Sequence, residues 1–430
     1  MTTTLTPANP TLAEAPATDP GDGPRARRVV FPLGWLRGIA ALAVVTFHAY
    51  QHNRSGADSA WPWSGAAHQA MLGTDLFVDM FFVLSGLVLW LPVVRSAIDG
   101  ERGRPGRVLL YRRMARLVPL YATVVLVVWA VTNPVWPGHW QDLVLHLTFT
   151  HVYSDTYIFW TDGPAWSLAV EFHFYLLMAL AVPVVNAAAR RTSSRAGRIA
   201  VVSALPVLSA VVGVAYLLWA TVLTSQSPEN WSIWFSPLSR GADFGLGMGL
   251  AVLSAAGLRL SGRVRATAAL VGTAALAALV MTRPISTTGE WWHPLYAAAI
   301  TVALASVVLH DGPWPAWLDW KPLVWIGTLG YGVYLIHEPV MRFLDWLGLL
   351  PDARPGAWFL VSAVVVALPT LAVAWVSSRT VEAAGLRLLS MIDRDGRPRD
   401  YYAHLSEDEG AAAVSPGRPV KPALVRGQTP

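Results

Sequence analysis

The sequence contains no cysteine, which excludes disulfides, thiolate nucleophiles, palmitoylation sites and sulfur metal ligands and leaves the redox compartment open. Lysine is almost absent too, since Lys321 and Lys421 are the only two beside an abundance of arginine. The G-x-S-x-G, Walker A, H-E-x-x-H and Gly-rich dinucleotide patterns are all missing. Their absence removes soluble hydrolase, ATPase, metalloprotease and dehydrogenase chemistry. Charged residues make up only 14% of the chain. What is abundant is apolar: 54% hydrophobic residues and a mean hydropathy of +0.43 are too high for a soluble chain of 430 residues and place it in a bilayer. The net charge of +5 is almost wholly arginine, and in a membrane protein such an excess reports orientation rather than nucleic-acid binding.

The expected fold class is all-α, a polytopic membrane helix bundle with about ten transmembrane helices. Stretches long enough to cross ~30 Å of hydrocarbon at ~1.5 Å per residue fall near 33–51, 71–93, 117–133, 164–187, 199–223, 238–257, 266–282, 293–310, 322–342 and 356–378. The piece 117–133 is short, and 140–152 reads as re-entrant or interfacial. Residues 1–29 lack apolar periodicity and read as a disordered cytoplasmic tail, followed by a membrane domain over 30–392 and a second disordered cytoplasmic tail over 393–430. Arg25, Arg27 and Arg28 precede a first helix without a cleavage site, so it is read as retained.

Charge bias tests this topology. Segments assigned inside carry Arg95, Arg102, Arg104, Arg107, Arg112, Arg113 and Arg116, then Arg190, Arg191, Arg195 and Arg198, then Arg259, Arg263 and Arg265. Those outside carry only Arg54, Arg283, Arg342 and Arg354. The asymmetry predicts a multi-pass protein of the inner (plasma) membrane with both termini cytoplasmic. Tryptophans at loop edges, such as Trp61 with Trp63, Trp291 with Trp292, and Trp314 with Trp317 and Trp320, suit interfacial belts.

Chemistry is sought where ionisable residues interrupt apolar runs, because each costs a few kcal/mol there unless it faces a cavity or partner. Arg37 and His48 lie eleven residues apart in the first helix, almost three turns, so they share a face ~16 Å apart along the axis. They read either as an anion-holding arginine with a general base, or as an interface anchor and a histidine near a helix end. His48 and His52 are four apart, but no third ligand accompanies them and no metal is expected.

Arg37 and His48, within Leu36-Arg37-Gly38-Ile39-Ala40-Ala41, resemble the first-helix motif of the membrane acyltransferase 3 family. Further blocks follow in the family's order: Val78-Asp79-Met80-Phe81-Phe82-Val83-Leu84-Ser85-Gly86, Arg112-Arg113-Met114-Ala115-Arg116, Trp166-Ser167-Leu168-Ala169-Val170-Glu171 with Tyr175, Arg240-Gly241-Ala242-Asp243-Phe244, and Tyr331 through Pro339. Phe77, Gly330 and Ala383 depart from the family's usual Gly, Ser and Pro. The resemblance, over roughly 33–385, implies transfer of a short acyl group, with acetyl-CoA the expected donor, to a hydroxyl of a carbohydrate or of a glycosylated secondary metabolite such as a macrolide. It implies O-acetylation in a bacterial envelope or in antibiotic biosynthesis. Acyl-CoA is a co-substrate in this reading, no cofactor is permanently bound, and the partners are the hydroxyl-bearing acceptor and membrane lipids. A transporter or polysaccharide-export component without acyl transfer is the alternative.

The expected roles follow. His48, Asp79 and Glu171 are the catalytic candidates, Asp79 by pairing with Arg37 or orienting His48. Arg37, Arg112, Arg113 and Arg116 would hold the phosphates of coenzyme A, or the arginine block would signal topology and meet anionic lipid. Ser85 would donate to an oxyanion or permit close helix packing. Trp166, Ser167, Tyr175, Arg240 and His337 are assigned to substrate or oxyanion contact, His337 ranking second to His48 as base.

Overall fold

The computed structural model describes residues 33–101, 103–283, 292–310, 315, 318 and 320–392. Both expected tails, Arg102, Trp291, Trp314 and Trp317 lie outside the described residues. The architecture is helical, with no strand among the described residues beyond one isolated bridge between Ser55 and Ala60. In chain order the helices are α1 (Gly34–His52), α2 (Gly65–Leu72), α3 (Leu76–Asp99), α4 (Gly106–Thr132), α5 (Trp140–Leu147), α6 (Ala165–Arg191), α7 (Arg195–Leu218), α8 (Trp231–Trp234), α9 (Gly241–Ala255), α10 (Gly262–Thr282), α11 (Trp292–Val308), α12 (Lys321–Thr328), α13 (Gly330–Trp346), α14 (Phe359–Arg379) and α15 (Val381–Ile392).

All ten expected stretches coincide with helices. Among the described residues, six segments are long and apolar enough to cross a membrane, namely Gly65–Asp99, Gly106–Thr132, Ala165–Arg191, Arg195–Leu223, Gly262–Thr282 and Phe359–Leu388, while α9 and α11 are shorter apolar helices. Their outward faces are greasy: Leu180, Val184, Val222, Leu270 and Leu368 are all exposed. In a bilayer such faces meet lipid tails at no hydrophobic cost.

Two boundaries differ from expectation, while the piece read as re-entrant or interfacial is short. Helix α4 starts at Gly106 rather than 117, so Arg112, Arg113 and Arg116 sit in its second and third turns and not at its end. The stretch 322–342 is broken at Leu329 into α12 and α13. Helix α5, at eight residues, rises only ~12 Å and cannot cross. Trp61 stacks on Tyr50 at 5.4 Å and Trp63 meets the edge of Phe359 at 4.7 Å, making a packed aromatic group over the end of α1.

Close helix contact depends on missing side chains. A Cβ on Gly86 of α3 would lie 2.4 Å from Phe244 O, and one on Gly247 of α9 would lie 2.0 Å from Val83 O. Where α1 crosses α12, a Cβ on Gly38 would lie 2.1 Å from Leu323 O and one on Gly327 would lie 2.1 Å from Gly34 O. Dispersion and backbone contact replace the hydrophobic driving force that helices in lipid lack. Gly38→Val should therefore cost about 3 kcal/mol or more and lower the melting temperature in detergent. Gly249→Ala, with open space around it, should be neutral or stabilising by up to about 1 kcal/mol. Matching melting curves for the two variants would refute this account of the crossing.

Candidate active site

Helix α1 presents His48 toward α13, where His337 is fully buried. The two imidazole centroids are 5.0 Å apart. His337 Nδ1 lies 2.6 Å from Tyr334 O and 3.1 Å from Val333 O. Carbonyl oxygens only accept, so Nδ1 carries the hydrogen and Nε2 keeps its lone pair. That Nε2 is buried without a hydrogen-bond partner. His48 in turn hydrogen-bonds the Gln51 side chain. The pair thus offers one unsatisfied basic nitrogen in an otherwise satisfied setting.

Beside it, Tyr334 links α13 to the start of α6. Its hydroxyl accepts from Ser167 Oγ at 2.7 Å and donates to Pro164 O at 3.2 Å. One turn further along α6, Glu171 accepts a short hydrogen bond from Ser85 of α3 and lies beside Tyr175. The Tyr175 ring lies 5.9 Å from the Arg113 guanidinium of α4. Arg116 faces Glu382 of α15 and Tyr331 of α13, and Tyr331 donates to Leu117 O at 2.6 Å. Five helices therefore contribute to one polar track, from the arginines of α4 through Tyr175, Glu171 and Ser85 to Ser167, Tyr334 and the histidine pair.

Several expected residues are placed elsewhere. Asp79 does not pair with Arg37 or orient His48. Its carboxylate accepts from His293 Nδ1 at 2.8 and 2.9 Å, lies 3.9 Å from Arg240 Nη1, and meets the Asp243 carboxyl. Arg240 is buried between the faces of Trp166 and Phe235, 5.4 and 5.7 Å from their centroids. Arg240 and Trp166 thus belong to this buried charge cluster rather than to the polar track. Ser85 gives its hydrogen to Glu171, which removes it as an oxyanion donor in this arrangement; its neighbour Gly86 supplies the close packing. Arg37 is half-buried, with its carbonyl 3.8 Å from where a Cβ on Gly330 would stand, close to the break between α12 and α13.

Other polar residues were not singled out from the sequence. Glu338 pairs with Arg342, which also donates to Thr161 O at 3.2 Å. Asp162 is fully buried beside them, and burial first and then Glu338 push its carboxyl well above the ordinary range, against Arg342. Asp142, His146 and His151 are also fully buried. His146 Nδ1 hydrogen-bonds the Asp142 backbone carbonyl at 3.1 Å and lies 2.9 Å from its carboxylate, which accepts from Thr161, and the imidazoles of His146 and His151 stack at 4.0 Å. The signal available for His293 was its place at the head of an apolar run, the criterion that singled out His48. For Asp142 and His146 it was the i, i+4 spacing on a segment too short to cross.

Comparison with known proteins agrees with the ordered motifs. An acyltransferase domain model matches residues 33–379. Acyltransferase MdmB of Streptomyces mycarofaciens is 29% identical over 377 residues, covering 82% of this chain and 91% of the relative. YrhL of Bacillus subtilis, which carries a peptidoglycan O-acetyltransferase name, is 26% identical over 370 residues, 79% of this chain and 52% of the relative. Peptidoglycan O-acetyltransferase OatA of Listeria monocytogenes is 24% identical over 376 residues, 81% and 54%. The chain thus spans about half the length of these two relatives. No solved structure matches it. With a domain match that runs from the head of α1 to the last residue of α14, the chain belongs to the acyltransferase family that this domain defines.

Proposed function

We propose that this protein is a plasma-membrane O-acyltransferase that moves a short acyl group, with acetyl the expected case, from acyl-CoA to a hydroxyl of a carbohydrate or of a glycosylated metabolite such as a macrolide. In this reading about ten helices cross the bilayer and both termini are cytoplasmic. The observation that carries the proposal is the polar track through the bundle, with basic residues at one end and a paired imidazole at the other. The names of the relatives support acyl transfer to a hydroxyl, two of them naming peptidoglycan O-acetylation.

In this mechanism Arg37 and the arginines of α4 hold the donor's phosphates, and the thin pantetheine arm lies along the track. His48 accepts the acceptor's hydroxyl proton as the oxygen attacks the thioester carbonyl, and His337 shares that proton load through its open Nε2. The tetrahedral intermediate collapses with cleavage of the C–S bond, and the thiolate takes up the proton to leave as free coenzyme A. Glu171, held by Ser85 beside Tyr175, supplies negative charge along the path of the imidazolium. Asp79, with His293 and Arg240, positions α3 against α9 and α11 rather than touching substrate.

Two measurements check these roles. In purified, detergent-solubilised protein, His48→Ala should still bind acetyl-CoA but lose about 10²- to 10⁴-fold in kcat, whereas Arg37→Ala should weaken binding; an active His48→Ala variant would end the assignment. Ser85→Ala should retain kcat within about tenfold, because in this reading its hydroxyl serves Glu171 and not the thioester oxygen, while loss of a true oxyanion donor costs about 10²- to 10³-fold. A drop of the larger size would restore Ser85 to the oxyanion.

A further inference from the structure

A cavity of about 150 Å³ opens between the C-terminal ends of α3 and α6 and the first turn of α7, lined by Arg190, Arg198, Asn186, Thr192, Glu101 and the backbone of Gly100 and Gly103. It lies away from the polar track and belongs to the face where arginine is concentrated. Neither guanidinium has a hydrogen-bond or ion-pair partner among the described residues, and Arg198 Nε is buried without one. Glu101, although it lines the same space, pairs with neither.

The arginines are not needed to finish the helices. The last carbonyls of α3 already accept from backbone amides, Ala97 O from Gly100 N at 3.3 Å and Ser96 O from Glu101 N at 2.8 Å. Those of α6 are met by Thr192, whose amide donates to Ala189 O at 3.1 Å and whose hydroxyl donates to Ala188 O at 2.9 Å. The first turn of α7 is capped by Ser194 Oγ, which accepts from Gly197 N. Two glycines keep the space open. A Cβ on Gly100, which sits at φ +74°, would lie 2.5 Å from Arg198 Nη1, and one on Gly103 would lie 2.7 Å from Asn186 Oδ1. The result is a hollow with five-donor guanidinium forks and a side-chain amide around it, able to hold several waters of about 30 Å³ each.

We propose that this cavity is a phosphate-binding site, separate from the track and taking a phosphate mono- or diester through Arg190, Arg198 and Asn186. Guanidinium recognises phosphate oxygens bidentately, and arginine is weakly enough hydrated to do so in a half-buried cavity. The phosphate comes either from an acidic phospholipid headgroup at the membrane face or from a soluble nucleotide.

The test uses the full chain in nanodiscs with two probes: phosphatidylglycerol in a phosphatidylcholine background, scored by lipid retention in native mass spectrometry, and adenosine 3′,5′-bisphosphate, scored by calorimetry. Arg190→Gln and Arg198→Gln should each weaken one probe by about fivefold and the double variant by about 25-fold, and the probe affected identifies the source. Arg263→Gln, an exposed arginine outside the cavity, is the control for diffuse surface attraction. Unchanged binding of both probes in the double variant, or an equal loss in Arg263→Gln, would overturn the proposal. Because neither probe carries a thioester, failure here leaves the acyl-transfer reading untouched.

Discussion

The constraint on which this structure rests is the cost of an unpartnered ionisable group inside a bundle that water does not fill. Asp79, Asp142, Asp162, Arg240, Asp243 and His337 are each essentially sealed from solvent. Partners for two of them come from elsewhere in the chain: His293 of α11 reaches Asp79 of α3, and Thr161, in the loop before α6, reaches Asp142 of α5. Such pairing demands that helices approach closely, and Gly86 and Gly247 let α3 and α9 meet backbone to backbone. The small residues and the buried charges are thus two sides of one solution.

Helix α5 shows the constraint most plainly because it is built inside out. Its apolar residues Trp140, Val144 and Leu147 are exposed, while Asp142 and His146 are buried. In water this arrangement would be costly on both faces. It is the expected arrangement where lipid lies outside and a polar interior lies within, and it fits a short helix lying at or dipping into the membrane boundary.

How much of this was legible in the sequence follows from the range of each signal. Hydrophobic runs of helical length locate the helices because lipid leaves the backbone no other way to satisfy its hydrogen bonds. They place boundaries badly where charge interrupts the run, and α4 continues through its arginines, with Arg113 near Tyr175 and Arg116 facing Glu382 and Tyr331. The break between α12 and α13 was invisible, since the close approach of Gly327 to Gly34 involves residues nearly three hundred positions apart. Pairing was the least legible feature. Asp79 was readable as a residue that needs a partner, but nothing local indicated His293, 214 positions away, and Ser85 gave no hint of Glu171, 86 positions away. The departure at Gly330 perturbs little: the nearest atom to a Cβ there would be 3.8 Å away, so serine would fit where glycine stands.

The two buried polar groups differ in a way that separates support from chemistry. In the cluster around Asp79, two carboxyls face one guanidinium and one imidazole, and the aromatic faces of Trp166 and Phe235 close over the cation. A proton on His293 or one held between the carboxyls makes the group neutral overall, and removing any member would strand a buried charge at a cost of about 3–5 kcal/mol. The histidine pair has the opposite character. His337 spends Nδ1 on two carbonyls and leaves Nε2 without a donor, facing an imidazole on another helix. A buried acceptor left open costs roughly 1–3 kcal/mol, and the group that relieves that cost is one that brings its own hydrogen, such as the hydroxyl of an acceptor. The Asp79 cluster holds α3 against α9 and α11, and in the proposed mechanism the open Nε2 of His337 is where an incoming O–H finds its base.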